Sequence, residues 1–252
     1  MKLFMVALVL GAMATTAPAL TATNLAGFEG IEEPVVKYLV TEKKFIPDDF
    51  TNITDAGGNT VRMTLRYQAD NWWDGDRDRR DTSRQRAEVK GIGPHQKPGE
   101  TFEYATTWRT STNFYGGGKF CHVFQLKAID GNNGAPLVTL SILDGTSNCC
   151  VHYWSGGSRG FANVRQFNWS PGVWENVRIR IRPSSDSSGS KKDGAISVSV
   201  NGDGFLGVTN VAVYRPEATS YRPKWGLYRG TSKNLPPGES YVEHKDASAR
   251  KM

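Results

Sequence analysis

Apolar and polar residues alternate with a period of two along most of this chain, whereas the 3.6-residue period of an amphipathic helix is almost absent. Residues 61–68 and 84–90 show the alternation, and so do residues 174–182, in which valine or isoleucine takes every second position from 177 to 181. Clusters of glycine, asparagine, aspartate and proline separate these segments. Successive side chains of a strand point to opposite faces, so the pattern predicts many strands and an all-β fold.

The stretch from residue 174 to residue 202 resembles a recurring part of concanavalin-like jelly rolls. A tryptophan leads into an alternating strand, a serine-rich loop follows, and a second strand ends in the turn Asn201-Gly202. Both residues of this turn accept positive φ, which makes the pair a strong hairpin signal. We therefore expect a β-jelly roll, a sandwich of two antiparallel sheets. Arg178, Arg180 and Arg182 are then expected on the solvated outer face of one sheet.

The first 19 residues have the composition of a secretory signal peptide. Lys2 supplies the positive start, residues 3–14 form an apolar core that is too short to span a bilayer, and small residues around Ala19 suit cleavage. We expect cleavage after Ala19, or alternatively after Ala22, and a single domain over residues 20–252. No other run approaches a membrane span, so we expect a secreted, extracellular monomer without a membrane partner.

The charge balance of the chain favours an acidic partner. The formal net charge is +6, and it becomes +5 without Lys2. A basic surface attracts acidic molecules, although charge alone does not identify which class. Because an extracellular protein rarely meets nucleic acid, we expect no nucleic-acid partner and favour an acidic polysaccharide.

Three cysteines are present, at positions 121, 149 and 150. Outside the cell two of them are expected to form a disulfide. Adjacent cysteines rarely bond each other because the resulting ring is strained. We therefore expect Cys121 to pair with either Cys149 or Cys150, which leaves one buried thiol. The sequence has no cysteine–histidine spacing typical of a metal site.

Three predicted strands carry polar residues that a plain sandwich does not need. In the first, alternation places four charged side chains on one face: Arg84, Arg86, Glu88 and Lys90. Unpaired charges in a dry core each cost several kcal/mol, so this face meets either water or an acidic ligand.

The other two polar strands lie later in the chain. In the second, Gln125 and Lys127 share a face, and strict alternation places His122 on the opposite face unless a β-bulge intervenes. The third presents two long polar side chains on either side of a glycine: Lys224, Gly226 and Tyr228. A glycine at this position leaves room for a molecule to approach the strand.

Together these strands resemble those of jelly-roll polysaccharide lyases. That family carries an Arg…Glu…Arg/Lys face, a Gln-x-His or similar pair, and a Lys-x-Gly-x-Tyr face, in this order along the chain. The present chain has Arg-Ala-Glu-Val-Lys at 86–90, Gln-Leu-Lys at 125–127 and Lys-Trp-Gly-Leu-Tyr at 224–228. The last motif combined with His-Val-Phe-Gln-Leu-Lys at 122–127 is most similar to the fungal glucuronan lyases (polysaccharide lyase family twenty). The alginate lyases are a more distant resemblance.

The resemblance implies an endo-acting lyase that cleaves β-1,4-linked polyglucuronate by β-elimination. This reaction needs a group that neutralises the uronate carboxylate, a base for the C5 proton and an acid for the leaving oxygen at C4. Gln125 with Arg84 or Arg86 is the expected neutraliser, because amide and guanidinium groups donate hydrogen bonds to carboxylates. Tyr228 is the expected acid, and also a candidate base beside a cation such as Lys224. These roles require the residues to gather on one face of a single sheet.

The chain departs from the alginate lyases at the Gln-x-His position, where Lys127 stands in place of histidine. The base is therefore open, with His122 and His152 as the nearest substitutes, because histidine titrates in the range that a general base needs. The alternative for either histidine is a structural hydrogen-bonding role. We predict catalytic roles for Tyr228, Gln125, Arg86 and His122. Substrate contacts are expected from Arg84, Glu88, Lys90, Lys127 and Lys224, and from Trp72 in a loop rich in glycine and aspartate.

Elimination chemistry requires no cofactor, but a structural calcium ion is common in this fold and in the family that the chain resembles. Calcium needs several oxygen ligands. Carboxylates near the chain ends, such as Glu29 and Asp246, are candidate ligands if the terminal strands pair. The sequence itself contains no calcium-binding loop.

Other functions are compatible with the same fold. A non-catalytic carbohydrate-binding module would share the aromatic and basic face, and a lyase for another uronan such as alginate would share the chemistry. A glycoside hydrolase normally needs two nearby carboxylic residues. Glu88 has no second carboxylate at i+2 or i+4, so hydrolysis ranks third.

Overall fold

The computed structural model describes residues 52–58, 60–66, 84–91, 94–143, 147–156, 160–231 and 238–252, together with the backbone of five short strands outside these ranges. The expected signal peptide and Glu29 lie outside the described residues. No helix in the described part of the chain is long and apolar enough to cross a membrane.

The alternating segments form strands, as their period of two predicts. In the described part of the chain these are β1 (Gly30–Glu32), β2 (Lys37–Leu39), β3 (Lys44–Ile46), β4 (Ile53–Gly57), β5 (Thr60–Arg66), β6 (Trp72–Asp74), β7 (Arg79–Asp81), β8 (Arg84–Lys90), β9 (Phe102–Thr110), β10 (Gly118–Ala128), β11 (Val138–Ile142), β12 (Asn148–Trp154), β13 (Phe161–Asn168), β14 (Glu175–Arg182), β15 (Gly194–Val200), β16 (Leu206–Val211), β17 (Tyr221–Thr231) and β18 (Glu239–Lys251).

Two seven-stranded sheets contain most of these strands. The first, here called the site sheet, has the order β1-β8-β17-β10-β11-β12-β13, and the second, the back sheet, has the order β16-β15-β14-β9-β18-β5-β4. Neighbouring strands are antiparallel in both sheets. Strands distant in the sequence lie side by side, as in β8, β17 and β10. The predicted all-β jelly-roll sandwich is confirmed.

The hydrophobic core lies between the two sheets. Tyr104 of the back sheet contacts Phe124 of the site sheet, with ring centroids 5.6 Å apart. The alternation in β14 places Val177, Ile179 and Ile181 in this core and turns the arginines between them outwards. Each large apolar side chain that is fully buried contributes about 1.5–3 kcal/mol relative to its exposed state.

Arg229 is a fully buried cation at the core side of β17. Its Nε and Nη2 donate to Gln85 Oε1 over 2.9 and 2.6 Å, and its Nη1 donates to the Tyr115 carbonyl and to Ser240 Oγ. A buried charge is tolerated only when its donors have hydrogen-bond partners. The partners of Arg229 link β17 to β8 and to the back sheet.

The predicted disulfide is absent. All three cysteines are buried thiols, and no disulfide joins them. The strand register places Ile142 of β11 between Cys121 of β10 and Cys149 of β12. Two strand spacings amount to about 10 Å, which exceeds the Cα separation of about 7 Å that a disulfide permits. Cys150 points to the opposite face of β12, because successive side chains of a strand alternate.

Candidate active site

A β-bulge in β10 decides which side chains share the outer face of the site sheet. The pairing of β10 with both neighbours shifts between His122 and Phe124. Val123 is the extra residue against β11 and is fully buried. The bulge reverses the alternation, so His122 and Gln125 face the same way. Strict alternation predicted opposite faces, and the bulge removes that objection to His122.

An open cavity of about 470 Å³ lies on this outer face. Six of the predicted site residues line it, and they come from the adjacent strands β8, β17 and β10: Arg84, Arg86, His122, Gln125, Lys127 and Tyr228. Their positions in the sequence are up to 144 residues apart. The structure therefore brings the distant polar strands together on one face, as the elimination hypothesis requires.

Tyr228 lies between two arginines and an aromatic ring. Arg84 Nη1 donates to the Tyr228 hydroxyl over 3.3 Å, and the Arg86 guanidinium lies 4.1 Å from the centroid of the phenol ring. Phe120 packs edge-on against the same ring at 5.0 Å. The two cations stabilise negative charge on the phenol oxygen, which is the charge that develops when this hydroxyl donates its proton.

His122 is hydrogen-bonded to β11. Its Nδ1 lies 2.8 Å from Ser141 Oγ, which lies 3.0 Å from Thr139 Oγ1. The ring nitrogen and both hydroxyls can each donate or accept, so these contacts are compatible with either tautomer. In the tautomer with the proton on Nδ1, Nε2 carries the lone pair that a general base needs.

The imidazole of His122 also stays neutral over a wide pH range. Burial lowers the pKa of His122 to about 3, and the nearby charges of His152 and Arg86 act in the same direction. Phe120 stacks on the imidazole with ring centroids 4.9 Å apart. His122 and Tyr228 are direct cross-strand partners with ring centroids 5.9 Å apart, so a potential base and a potential acid stand side by side.

Gln125 and Glu88 meet across an intervening strand. Gln125 Nε2 donates to Glu88 Oε1 over 2.5 Å, although β17 lies between their strands. Gly226 of β17 pairs with Glu88 and presents no side chain, so the two long side chains reach each other. The sequence predicted that this glycine leaves room for an approaching molecule. In the structure, the protein's own Gln125 and Glu88 side chains use that room. The bond leaves the second amide N–H of Gln125 for a ligand.

Three residues that were predicted to contact substrate do not line the cavity: Glu88, Lys90 and Lys224. Glu88 is 1% exposed, and its Oε2 lies 3.2 Å from Arg86 Nε, so it holds Gln125 and Arg86 from below. Lys224 is 3% exposed. Gln125 is as buried as Glu88 but lines the cavity, so the position outside the lining, rather than burial alone, separates Glu88, Lys90 and Lys224 from it. For Glu88, contact with an acidic substrate would also oppose two carboxylates.

Trp72 does not lie in a loop. It begins β6, which pairs with β7 to form a short hairpin, and its side chain lies outside the described residues. Trp108 and Trp225 are buried in the core, so neither offers a surface to a ligand. Phe161 is exposed at the cavity wall and packs edge-on against Trp154 at 5.5 Å, and it is an aromatic surface for a sugar ring that the sequence did not indicate.

Three further cavity residues were not predicted from the sequence: Thr139 and Ser141 on β11, and Lys119 at the start of β10. His152 of β12, the second candidate base, also lines the cavity. Residues 136–143 read as a strand that is apolar on both faces, yet its only two polar residues are two positions apart. That spacing was the available signal that one face of β11 is polar.

The cavity has a positive lining. Four cations contribute to it, namely Arg84, Arg86, Lys119 and Lys127, and the described lining residues include no carboxylate. Such a lining attracts an anionic ligand. It also lacks the pair of carboxylic residues that glycoside hydrolysis normally uses.

The described residues contain no group of three or more histidine, cysteine, aspartate or glutamate side chains that could hold a metal ion. Asp246 is exposed, at the irregularity of β18, with a φ of 54°. Its suggested partner Glu29 lies outside the described residues, so the calcium site stays a prediction.

The model of a family described as polysaccharide lyase matches residues 47–244, which is most of the chain. The chain belongs to the polysaccharide lyase family. This membership agrees with the resemblance in the three polar strands, and it sets aside a non-catalytic binding module as the function of this lyase.

Solved structures support the fold of the lyase. A family 7 alginate lyase, A1-II′, in complex with substrate shares 14% identity with a TM-score of 0.62, over 88% of this chain and 91% of that chain. An endo-β-1,4-glucuronan lyase from the fungus Trichoderma reesei shares 17% identity with a TM-score of 0.57, over 89% and 96%. An alginate lyase from Pseudomonas aeruginosa shares 16% identity with a TM-score of 0.54, over 82% and 88%. A comparison with curated proteins found no match.

Proposed function

We propose that this lyase is secreted and cleaves β-1,4-linked polyglucuronate by endo-acting β-elimination. One observation carries the proposal: Arg86, His122, Gln125 and Tyr228 line a single cation-rich cavity without a carboxylate among its described lining residues. A polyanion fits such a cavity, and elimination uses the types of group that the cavity offers.

In the first step, the carboxylate of the uronate ring is neutralised. Arg86 and the second amide N–H of Gln125 donate to it, and this makes the C5 hydrogen more acidic. Glu88 holds both donors in place through its hydrogen bond to Gln125 and its ion pair with Arg86. Lys127 contributes further positive charge at the same cavity for a carboxylate of an adjacent sugar.

In the second step, His122 Nε2 removes the C5 proton. The electron pair of the C5–H bond forms the C4=C5 double bond, and the bond between C4 and the bridging oxygen breaks. Tyr228 gives its proton to the departing oxygen, while Arg84 and Arg86 stabilise the phenolate that remains. The proton on His122 returns to the phenolate through solvent, and no water molecule is consumed.

The side-by-side placement of His122 and Tyr228 favours particular uronates. In glucuronate and mannuronate the C5 hydrogen and the C4 oxygen lie on the same face of the ring, whereas in guluronate and galacturonate they lie on opposite faces. A base and an acid that are cross-strand neighbours approach one face of the sugar together. The geometry therefore favours glucuronate or mannuronate chains over guluronate and pectate.

Between these two, the motifs support polyglucuronate. The residues around Gln125 and Tyr228 are most similar to those of the fungal glucuronan lyases, and a glucuronan lyase is among the structures that share the fold. Lys127 stands where the alginate lyases have a histidine, which counts against mannuronate-rich alginate as the main substrate. Alginate remains the second candidate, because alginate lyases share the fold as well.

The proposal is tested by incubating the protein with polyglucuronate, polymannuronate, polyguluronate and pectate and following the ultraviolet absorbance of unsaturated uronates. The absorbance should rise fastest with polyglucuronate. The Tyr228→Phe variant is the matched control, and its rate should fall by about 10²–10⁴-fold, as expected for loss of a general acid, while polymer binding persists. The proposal would be refuted if the absorbance rose with none of the four polymers.

A further inference from the structure

The outer face of the back sheet carries two similar rows of side chains that the proposed chemistry does not use. Each row, here called a rung, runs Arg–Glu–Arg across three neighbouring strands: Arg180, Glu103 and Arg250 across β14, β9 and β18, and Arg109, Glu243 and Arg62 across β9, β18 and β5. The sequence predicted a solvated face for the arginines of β14, but it did not indicate this arrangement.

Short ion pairs hold the arginines of both rungs in place. Glu243 lies 2.6 Å from each of its two arginines. Glu103 lies 2.9 and 3.2 Å from its two arginines and 2.8 Å from a third, Arg178. Five arginines therefore share two carboxylates, which leaves an excess of three positive charges in the rungs.

Aromatic rings support some of the same guanidinium groups. Arg180 stacks on Phe205 with its guanidinium carbon 3.8 Å from the ring centroid, and Arg109 stacks on Trp174 at 4.4 Å. Lys245 also lies over Trp174, at 5.3 Å. A guanidinium fixed by a carboxylate and a ring loses little conformational entropy when it binds a ligand.

The two glutamates are buried, but the arginines are not. Glu103 and Glu243 side chains are 6% and 1% exposed, whereas Arg62, Arg109, Arg178 and Arg180 are 34–39% exposed and Arg250 is 66% exposed. Burial acts to raise the pKa of Glu103, but hydrogen bonds from Arg178 and Arg180 outweigh it and lower the pKa. A molecule that approaches either rung therefore meets its guanidinium groups before its buried glutamate.

The dimensions of this face suit an extended polymer. Glu103 and Glu243 belong to rungs that meet β9 at positions 103 and 109, so the rungs are about 20 Å apart along the strands. A groove of about 480 Å³ lies beside the first rung, with Arg180, Arg182 and Phe205 in its wall. Exposed guanidinium groups at intervals along a surface match a chain whose every sugar carries a carboxylate.

We propose that the outer face of the back sheet is a second, non-catalytic binding site for acidic polysaccharide, of the same class as the polymer cleaved in the cavity. This inference rests on the proposed function for the identity of the polymer. A chain held on the back sheet keeps the cavity close to further bonds of the same polymer network, which raises the effective substrate concentration. A short oligosaccharide occupies the cavity alone and gains nothing from this site.

The test removes three cations from the back sheet by Arg182→Gln, Lys245→Gln and Arg250→Gln, in the inactive Tyr228→Phe background. The matched control removes the same charge elsewhere, at three exposed lysines: Lys97→Gln, Lys191→Gln and Lys192→Gln. The dissociation constant for long polyglucuronate should rise by about tenfold in the first variant and by about twofold or less in the control. Equal changes in the two variants would overturn the inference, because they would indicate only long-range attraction.

The same substitutions in the active protein provide an independent measurement. The KM for polyglucuronate should rise with kcat unchanged, and kcat/KM for a short oligoglucuronate should stay unchanged. The inference would also be overturned if double-stranded DNA bound as tightly as polyglucuronate and this binding were lost in the same variant. Absence of elimination by the unmodified protein would refute the proposed function, and the binding comparison in the inactive background would still test the second site.

Discussion

The protonation of His122 determines whether this residue can act as the base. Its Nδ1 is hydrogen-bonded to Ser141 Oγ, and with the proton on that nitrogen Nε2 is the acceptor. Burial and the positive charge of Arg86 then disfavour a second proton. The imidazole is thus kept as a neutral acceptor next to the hydroxyl of Tyr228.

The pH dependence of kcat/KM follows from this environment. A base must be unprotonated, so activity is lost as the pH falls through its pKa, which for His122 is lowered from 6.5 to about 3. We expect kcat/KM to stay flat between about pH 5 and 8, without a transition near 6.5. His122→Asn should lower kcat by about 10²-fold or more across the range. An acid limb centred near 6.5 in the unmodified protein would contradict the assignment of His122 as a neutral base.

At this scale the sequence predicted the residue types better than their roles. Arg86, Gln125 and Tyr228 line the cavity as their motifs implied. Glu88 and Lys224 appear in the same motifs but lie buried below it. Alternation gives the face of a strand on which a side chain lies, but not which members of that face border a cavity, so lining and supporting residues look alike in the sequence.

Among the strands, β17 lies between β8 and β10, which carry the other polar residues of the three predicted strands. Its Gly226 has a φ of 147°, and a Cβ added there would lie 2.3 Å from the Ala87 carbonyl oxygen and 2.7 Å from Glu88 Cα. Backbone atoms at that distance cannot move aside without shifting β8. Gly226 also leaves the space in which Gln125 and Glu88 form their hydrogen bond.

Gly226→Ala should therefore lower the free energy of unfolding by about 3 kcal/mol or more and reduce activity on polyglucuronate at a temperature where the protein is folded. The control is Gly204→Ala, because no atom lies within 4 Å of a Cβ at that exposed position. Urea unfolding and initial rates provide the comparison. A Gly226→Ala variant as stable and active as the control would show that the close approach of β17 and β8 is not required.

The bulge in β10 shows the limit of prediction for elements. The strand itself was evident from its alternation, but Val123 is an extra residue only relative to its partner strand β11, and the sequence of β10 alone does not show that pairing. A one-residue change in register turns every later side chain to the other face. The same dependence on pairing separated Cys121 from Cys149 by one strand and made the predicted disulfide geometrically impossible.

Over the whole molecule, the stability of the sandwich should depend on pH through a histidine in its core. His244 is 2% exposed, contacts Trp225 across the two sheets and has its Nδ1 3.1 Å from Thr106 Oγ1. Burial lowers the pKa of His244 to about 4, although nearby backbone carbonyls oppose this shift. Between about pH 6.5 and 4 the unfolded chain therefore takes up a proton that the folded protein does not accept.

The sign of this effect is a loss of stability as the pH falls. His244 alone should make the protein about 3 kcal/mol less stable at pH 4 than at pH 7. In urea unfolding at pH 7 and pH 4.5, His244→Asn should show a smaller difference between the two pH values than the unmodified protein. His95→Asn, at an exposed position, is the control and should leave the difference unchanged. An equal pH difference in the His244 variant would contradict the account.

The sandwich as a whole was predictable because its cause is local and repeated: strands with alternating polarity need two sheets to bury their apolar faces. The two functional faces were predictable only in part. The cavity follows from three motifs in order, whereas the Arg–Glu–Arg rungs arise from pairing between β5, β9, β14 and β18, which no short stretch of sequence contains.

The central claim, elimination across C4 and C5 in the cavity, is tested most directly with polyglucuronate that carries deuterium at C5, in water enriched in oxygen-18. We predict that every cleaved bond loses one deuterium and leaves one unsaturated uronate, and that no oxygen-18 enters the new chain ends through cleavage itself. Tyr228→Phe should slow the deuterium loss by the same factor as it slows cleavage. Products that keep their deuterium and take up one oxygen-18 atom for each bond broken would demonstrate hydrolysis and contradict the claim.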